Sequence, residues 1–137
     1  MRKIIIIMGS ESDRSHAEKI TDALQVEKCP YAVEIHVASA HKQPREVLAI
    51  LEANQTEKAV YITIAGRSNA LSGFVAGNTV SPVLACPPFG DKLDMLVNIH
   101  STLQMPSRVP VLTVLEPANA ALAALRILAV GDAPCAE

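Results

Sequence analysis

Residues 4–8 read Ile-Ile-Ile-Ile-Met, an unbroken apolar run that is β-branched in its first four positions. A strand wetted on one face alternates apolar and polar residues, and a surface helix spaces them by three and four. A continuous β-branched run needs cover on both faces, which is the situation of a central strand in a parallel sheet. Gly9-Ser10-Glu11-Ser12-Asp13 follows as a turn. A helix is predicted from about Ser12 to Val26, with Ala17, Ile20, Ala23 and Leu24 on one face.

The same unit recurs along the chain. Tyr31 to Val37 reads as a second strand, in which Val33, Ile35 and Val37 alternate with Glu34 and His36, so that one face is wet and the strand suits a sheet edge. Ser39-Ala40-His41-Lys42 is a loop, and Pro44 opens a helix carrying Val47, Leu48 and Leu51. Ala59 to Ala65 is a third strand, with Gly66-Arg67-Ser68-Asn69 as its exit and a helix of small residues over about Asn69 to Gly77. Pro82 to Cys86 is a fourth strand ended by Pro87-Pro88-Phe89-Gly90, Asp91 to Leu103 reads as helical, Val111 to Leu115 is a fifth strand, and the last helix starts near Pro117. Five strand–helix units with short connections predict an α/β fold, a three-layer flavodoxin-like parallel sheet of five strands in the order 2-1-3-4-5. The 137 residues are expected to form a single domain (1–137), with 131–137 as a frayed tail.

Composition excludes several classes of function. With 12 Lys plus Arg against 14 Asp plus Glu, and only two Phe, two Tyr and no Trp, the chain offers neither a basic field nor stacking platforms for nucleic acid. Cys29, Cys86 and Cys135 are odd in number and lack CxxC spacing, so neither a disulfide framework nor a zinc site is expected. A cytoplasmic setting fits this usage. The N-terminal apolar run is too short for a signal peptide. Residues 68–90 carry no charge, but Gly73, Gly77, Pro82, Pro87 and Pro88 interrupt them, which reads as burial in protein and not as a membrane span.

In an open parallel sheet the ligand lies beyond the carboxyl ends of the strands, at the switch point of strand order. In the order 2-1-3 the exits of the first three strands are neighbours. They carry Gly9-Ser10-x-Ser12-Asp13, Ser39-Ala40-His41-Lys42 and Gly66-Arg67-Ser68-Asn69, three polar loops on one rim. A Gly/Ser turn at a helix start suits phosphate, with Ser10 and Ser12 as further donors and Asp13 suited to ribose hydroxyls. The competing reading is that Ser12 or Asp13 is only an N-cap. His41, on a strand exit, is the candidate for proton transfer, against the alternative of a histidine satisfied by local backbone. Lys42 and Arg67 are candidates to hold an anion or carboxylate, against plain surface charge. Cys86 reads as buried and inert, His16 and His36 as surface residues, and His100 as structural. The last helix, from Pro117 to Leu128, has Arg126 as its only charge, which predicts burial on both sides and so an oligomer interface.

Taken in order, Met8-Gly9-Ser10-x-Ser12-Asp13, Ser39-Ala40-His41, Ala65-Gly66, Pro82-Val83, Met105-Pro106 and Asn119-Ala120-Ala121 resemble the aminoimidazole ribonucleotide carboxylase family of de novo purine synthesis, over residues 4–129. Ser39-Ala40-His41-Lys42, Ala65-Gly66-Arg67-Ser68-Asn69, Gly77-Asn78-Thr79 and Ala85-Cys86-Pro87-Pro88 look like its direct, carbon-dioxide-using branch. Gln104-Met105-Pro106 instead matches the habit of the other branch, the N-carboxyaminoimidazole ribonucleotide mutases. The resemblance implies ATP-independent, reversible carboxylation of aminoimidazole ribonucleotide, with no cofactor and no metal. It implies His41 as acid/base, and Lys42 with Gly66, Arg67 and Ser68 about the forming carboxylate. It implies Gly9, Ser10 and Ser12 on the phosphate, Asp13 on the ribose, and Ser39 and Ala65 lining the nucleotide site. The partners it implies are the two small-molecule substrates and further copies of the chain in a homo-octamer. The alternatives are the mutase and, more distantly, a non-catalytic nucleotide-binding module.

Overall fold

In the computed structural model, which describes residues 1–132, the five strands form one parallel sheet ordered β2-β1-β3-β4-β5. The strands are β1 (Arg2–Met8), β2 (Ala32–Val37), β3 (Lys58–Ile64), β4 (Val83–Ala85) and β5 (Leu112–Thr113). The helices are α1 (Arg14–Val26), α2 (Pro44–Ala53), α3 (Leu71–Gly77), α4 (Lys92–Asn98), α5 (His100–Leu103) and α6 (Pro117–Ala129). A single 3-10 turn, Glu11–Asp13, leads into α1.

The run that opens the chain behaves as its composition demands. Ile4 to Met8 are all fully buried, and the pleat divides them between two cores. Ile4, Ile6 and Met8 pack with Ala17, Ile20 and Leu24 of α1 and Ala120, Ala121, Ala124 and Leu128 of α6. Ile5 and Ile7 pack with Val47 and Leu51 of α2 and Leu71 and Val75 of α3. Each isoleucine so buried contributes roughly 1.5–3 kcal/mol of transfer free energy, and no face of β1 is left for water.

Strand β2 is an edge strand, and neither of its faces is dry: Val33 and Ile35 are 37% and 40% exposed, and the Glu34 and His36 side chains 32% and 33%. Glu34 pairs with Lys3 of the neighbouring strand (2.9 Å) and with His36 (3.2 Å). Three expectations need correction. The single helix expected over Asp91 to Leu103 is two, α4 and α5, meeting at Ile99. His16 is half-buried, its Nε2 3.5 Å from the Cys86 sulfur, and burial lowers its pKa. His100 is exposed and holds no core position.

Helix α6 packs one side against α1 and the sheet, and its remaining large residues, Leu122, Leu125 and Ile127, are half-buried. A group of exposed apolar side chains lies elsewhere, on α4: Leu93, Leu96 and Val97. At the end of the described chain Asp132 forms an ion pair with Arg2 (2.6 Å). Cys135 and most of the expected tail lie outside the described residues. No helix among the described residues is long and apolar enough to cross a membrane.

Candidate active site

The three loops that follow β1, β2 and β3 meet at the carboxyl edge of the sheet around a cavity of about 600 Å³. Gly9, Ser10, Ser12, Asp13, Ser39, His41, Lys42, Ala65, Gly66, Arg67 and Ser68 all line it. The parallel register is what brings them together. The Gly9 N–H donates to the Ile64 carbonyl (2.9 Å) and the Ala38 N–H to the Met8 carbonyl (2.8 Å), so the three strands end level and release their loops at one height.

In the first loop Ser10 caps the 3-10 turn, its Oγ accepting from the Ser12 N–H (3.3 Å) and lying 2.9 Å from the Ser12 Oγ. Ser10 is thus the cap of the 3-10 turn, and Asp13 takes the N-cap position of α1 without a capping bond from its side chain. Its half-buried carboxyl lines the cavity; burial raises its pKa above the ordinary value, opposed by a backbone hydrogen bond with Ser10.

In the second loop Ser39 is the hinge pin. Its Oγ accepts from the Lys42 N–H (3.2 Å) and its carbonyl from the Gln43 N–H (2.7 Å), which curls residues 39–43 into a tight turn ahead of Pro44. His41 and Lys42 stand exposed on that turn, facing the cavity.

The third loop is anchored from behind. Asn69 is buried; its backbone N–H donates to Ser101 Oγ (2.8 Å), its Nδ2 to Thr102 Oγ1 (2.9 Å), and its Oδ1 accepts from the Ser72 N–H (3.1 Å). These bonds tie the β3 exit to α5 and leave Arg67 and Ser68 projecting into solvent. Gly66 is required by contact: a Cβ there would stand 2.8 Å from the Pro88 carbonyl oxygen.

The exit of β4 and the first turn of α4 contribute residues that the sequence did not mark as part of the site: Pro88, Phe89 and Gly90 from the first and Asp94 from the second. The signal was present. In the order 2-1-3-4 the exit of β4 adjoins that of β3, so Pro87-Pro88-Phe89-Gly90 had to reach the same rim. Asp94 is the anion facing Arg67, with its Oδ1 3.8 Å from Arg67 Nε. Hydrogen bonds from the Gly90 N–H (2.8 Å) and Asn98 Nδ2 (2.6 Å) hold the Asp94 carboxyl below its usual pKa. The wall thus carries two cations, Lys42 and Arg67, two carboxyls, Asp13 and Asp94, and one imidazole. Such a set can bind an anionic, hydroxylated ligand and move one proton. No cluster of three or more metal-ligating side chains occurs among the described residues.

Comparison with known proteins gives this arrangement a family. The family model described as AIR carboxylase matches residues 3–137. The chain belongs to the AIR carboxylase family. A phosphoribosylaminoimidazole carboxylase of Archaeoglobus fulgidus is 46% identical over 132 residues, covering 95% of this chain and 71% of the relative. One from Treponema denticola is also 46% identical, over 136 residues, covering 98% of this chain and 84% of the relative. The crystal structure of Treponema denticola PurE superposes with a TM-score of 0.88 at 44% identity, covering 96% of this chain and 83% of that one. The family's five-stranded parallel fold is the fold found here.

Cys86 stands outside this chemistry. It is fully buried, its sulfur lies 3.6 Å from the Leu115 carbonyl oxygen, and burial, assisted by Glu116, pushes its pKa up to about 12. A thiol so placed is no nucleophile at neutral pH.

Proposed function

We propose that this chain catalyses the reversible carboxylation of 5-aminoimidazole ribonucleotide by carbon dioxide to 4-carboxy-5-aminoimidazole ribonucleotide, without ATP, in purine biosynthesis. One observation carries the reading: in a chain that the AIR carboxylase family model matches, the polar loops at the exits of β1, β2 and β3, dispersed over residues 9–68, line a single cavity at the switch point of the sheet. The amino-imidazole is an electron-rich enamine. Ring carbon four attacks the carbon of carbon dioxide, a carbon–carbon bond forms, and one carbon–oxygen π pair moves onto oxygen as carboxylate. The carbon–hydrogen bond at that ring carbon then breaks; its electron pair restores the aromatic ring and its proton passes to His41. In the reverse direction His41 returns the proton and carbon dioxide leaves.

The other residues act by binding and orientation. Gly9, Ser10 and Ser12 hold the phosphate at the start of the 3-10 turn and α1, with Asp13 on the ribose. Ser39 and Ala65 line the nucleotide site. Lys42 with Gly66, Arg67 and Ser68 surrounds the growing carboxylate, whose charge is met by two cations already in place. The exposed Leu93, Leu96 and Val97 favour assembly into the homo-octamer implied by the family resemblance, and the pathway favours a cytoplasmic setting.

The test is to supply aminoimidazole ribonucleotide and dissolved carbon dioxide without ATP, and the N-carboxylated nucleotide in a parallel sample, and to follow the carboxylated product by absorbance. Turnover of the first that rises with carbon dioxide supports the carboxylase. Turnover of the second alone makes the chain a mutase, and silence with both makes it a nucleotide-binding module. His41→Asn is expected to lower turnover by about 10²–10⁴ while nucleotide still binds; turnover within threefold of wild type would remove His41 from the mechanism.

A further inference from the structure

Asp94 sits in the first turn of α4, on the wall of the cavity opposite the β3 exit, and no motif of the sequence draws attention to it. A carboxylate in a site for an anionic nucleotide needs a reason, because by itself it repels the ligand. Its surroundings supply one. The backbone N–H of Asp94 is fixed by Asp91 Oδ1 (2.8 Å), its Oδ2 accepts from the Gly90 N–H (2.8 Å), and its Oδ1 accepts from Asn98 Nδ2 (2.6 Å). The carboxylate is thus oriented from both sides by neutral donors, and its side chain is only 16% exposed. Among the described residues the cation paired with it is Arg67, whose side chain is 79% exposed. One partner is fixed by hydrogen bonds and the other stands in solvent.

The nearest approach of the pair is from Arg67 Nε to Asp94 Oδ1, 3.8 Å, an ion pair beyond hydrogen-bond distance. A guanidinium drawn by charge towards one carboxylate, without a hydrogen bond to it, keeps its terminal nitrogens for a second, two-pronged acceptor, and a carboxylate is the matching shape. We propose that Asp94 is a positioning residue: it draws the Nε edge of Arg67 towards itself by charge so that the terminal nitrogens face the carboxyl group of the carboxylated nucleotide. Asp94 acts through Arg67 and touches neither the substrate nor the transferred proton. The inference rests on the proposed reaction, in which Arg67 meets the carboxylate, and deepens it by naming what aims Arg67.

Calorimetric binding of two nucleotides separates the possibilities. One probe is 5-aminoimidazole ribonucleotide and the other its 4-carboxylated form, each titrated into wild type, Arg67→Ala, Asp94→Asn, and the double variant. Asp94→Asn keeps the shape and removes the charge; the Asn98 amide turns over to pair with the new amide, so the first turn of α4 is retained. Arg67→Ala is expected to weaken the carboxylated nucleotide about tenfold and the uncarboxylated one less than twofold. Asp94→Asn is expected to weaken the carboxylated nucleotide about three- to tenfold with the same selectivity, and the double variant to bind no more weakly than Arg67→Ala. Arg67→Lys, on an exposed side chain that cannot unfold the protein, retains charge without the Nε edge and is expected to resemble Asp94→Asn. Multiplying effects of Arg67→Ala and Asp94→Asn would overturn the proposal. So would equal losses for both nucleotides in Asp94→Asn, which would place Asp94 on the ribose instead, and so would no loss at all. A wild-type protein that binds neither nucleotide would overturn the reaction itself and the proposal with it, an outcome distinct from selective wild-type binding that Asp94→Asn leaves untouched.

Discussion

Gly66→Ala puts the least matter where the site has the least room. The added Cβ would lie 2.8 Å from the Pro88 carbonyl oxygen, with the Pro88 Cδ at 3.6 Å. Carbon and carbonyl oxygen come no closer than about 3.3 Å in ordinary contacts, so about 0.5 Å of separation must be found. Both sides are backbone, one the exit of β3 and the other the exit of β4, and both are tied down. The Cys86 N–H donates to the Thr63 carbonyl (2.9 Å), and Asn69 anchors its loop to α5. Forced separation of this kind costs about 1–3 kcal/mol, or a melting temperature lower by about 3–12 °C in a domain of this size. Arg67 and Ser68 ride on the displaced loop. If 1 Å of misplacement costs about 10²-fold in rate, half of that costs about tenfold. Gly73→Ala is the control. Its Cβ would lie 2.9 Å from Met105 Sδ, near the end of a flexible side chain that can rotate away. Replacing a mid-helix glycine also stabilises α3 by about 0.5–1 kcal/mol. Thermal melts and steady-state kinetics of the two variants decide the matter. Equal melting temperatures for Gly66→Ala and Gly73→Ala, or wild-type kcat/KM in Gly66→Ala, would refute the steric argument.

Two further perturbations probe the frame of the site. Asn69→Ala leaves Thr102 Oγ1 and the Ser72 N–H without their amide partner; a loss of about 2–4 kcal/mol is expected in urea unfolding, and a loss under 0.5 kcal/mol would show that the anchor is dispensable. Alkaline pH acts on two buried acids, since burial and then Glu34 push Tyr61 up to about 12, as burial and then Glu116 do Cys86. Both keep protons in the folded state that an unfolded chain releases at about pH 8.5–10, so their stabilisation is complete below that range and is lost as pH rises towards 12. The urea midpoint should fall between pH 9 and pH 11, and Tyr61→Phe should flatten the part of that fall above pH 10; an unchanged slope in Tyr61→Phe would assign the alkaline lability elsewhere.

Much of the site was legible because it depends on local sequence and on strand order. Ile4 to Met8 need two covered faces, β2 carries the charges of an edge, and from these the order 2-1-3 places the loops at Gly9, Ser39 and Gly66 side by side. The loop Pro87-Pro88-Phe89-Gly90 reads in sequence only as the end of β4, because it carries no charged or hydroxyl side chain to mark it as part of a site. Asp94 was hidden for a different reason. Nothing in Asp91-Lys92-Leu93-Asp94 separates a helix cap from a wall of the cavity, and in the structure Asp91 is the cap while Asp94 faces Arg67. His16 was misplaced because helical spacing says which side of α1 a residue occupies, but not that the Cys86 sulfur lies beside it.

By itself the sequence determined the layer architecture, the carboxyl-edge cavity, and the polar loops gathered around it. These follow from periodicity, turn chemistry and parallel strand order, which are properties of neighbours along the chain. Tertiary structure alone decided that Glu34 turns towards Lys3, that Pro88 closes on Gly66, and that a carboxylate on α4 faces the Arg67 guanidinium. Each of these is set by the separation of groups on different elements, and distances across elements exist only once the layers have packed.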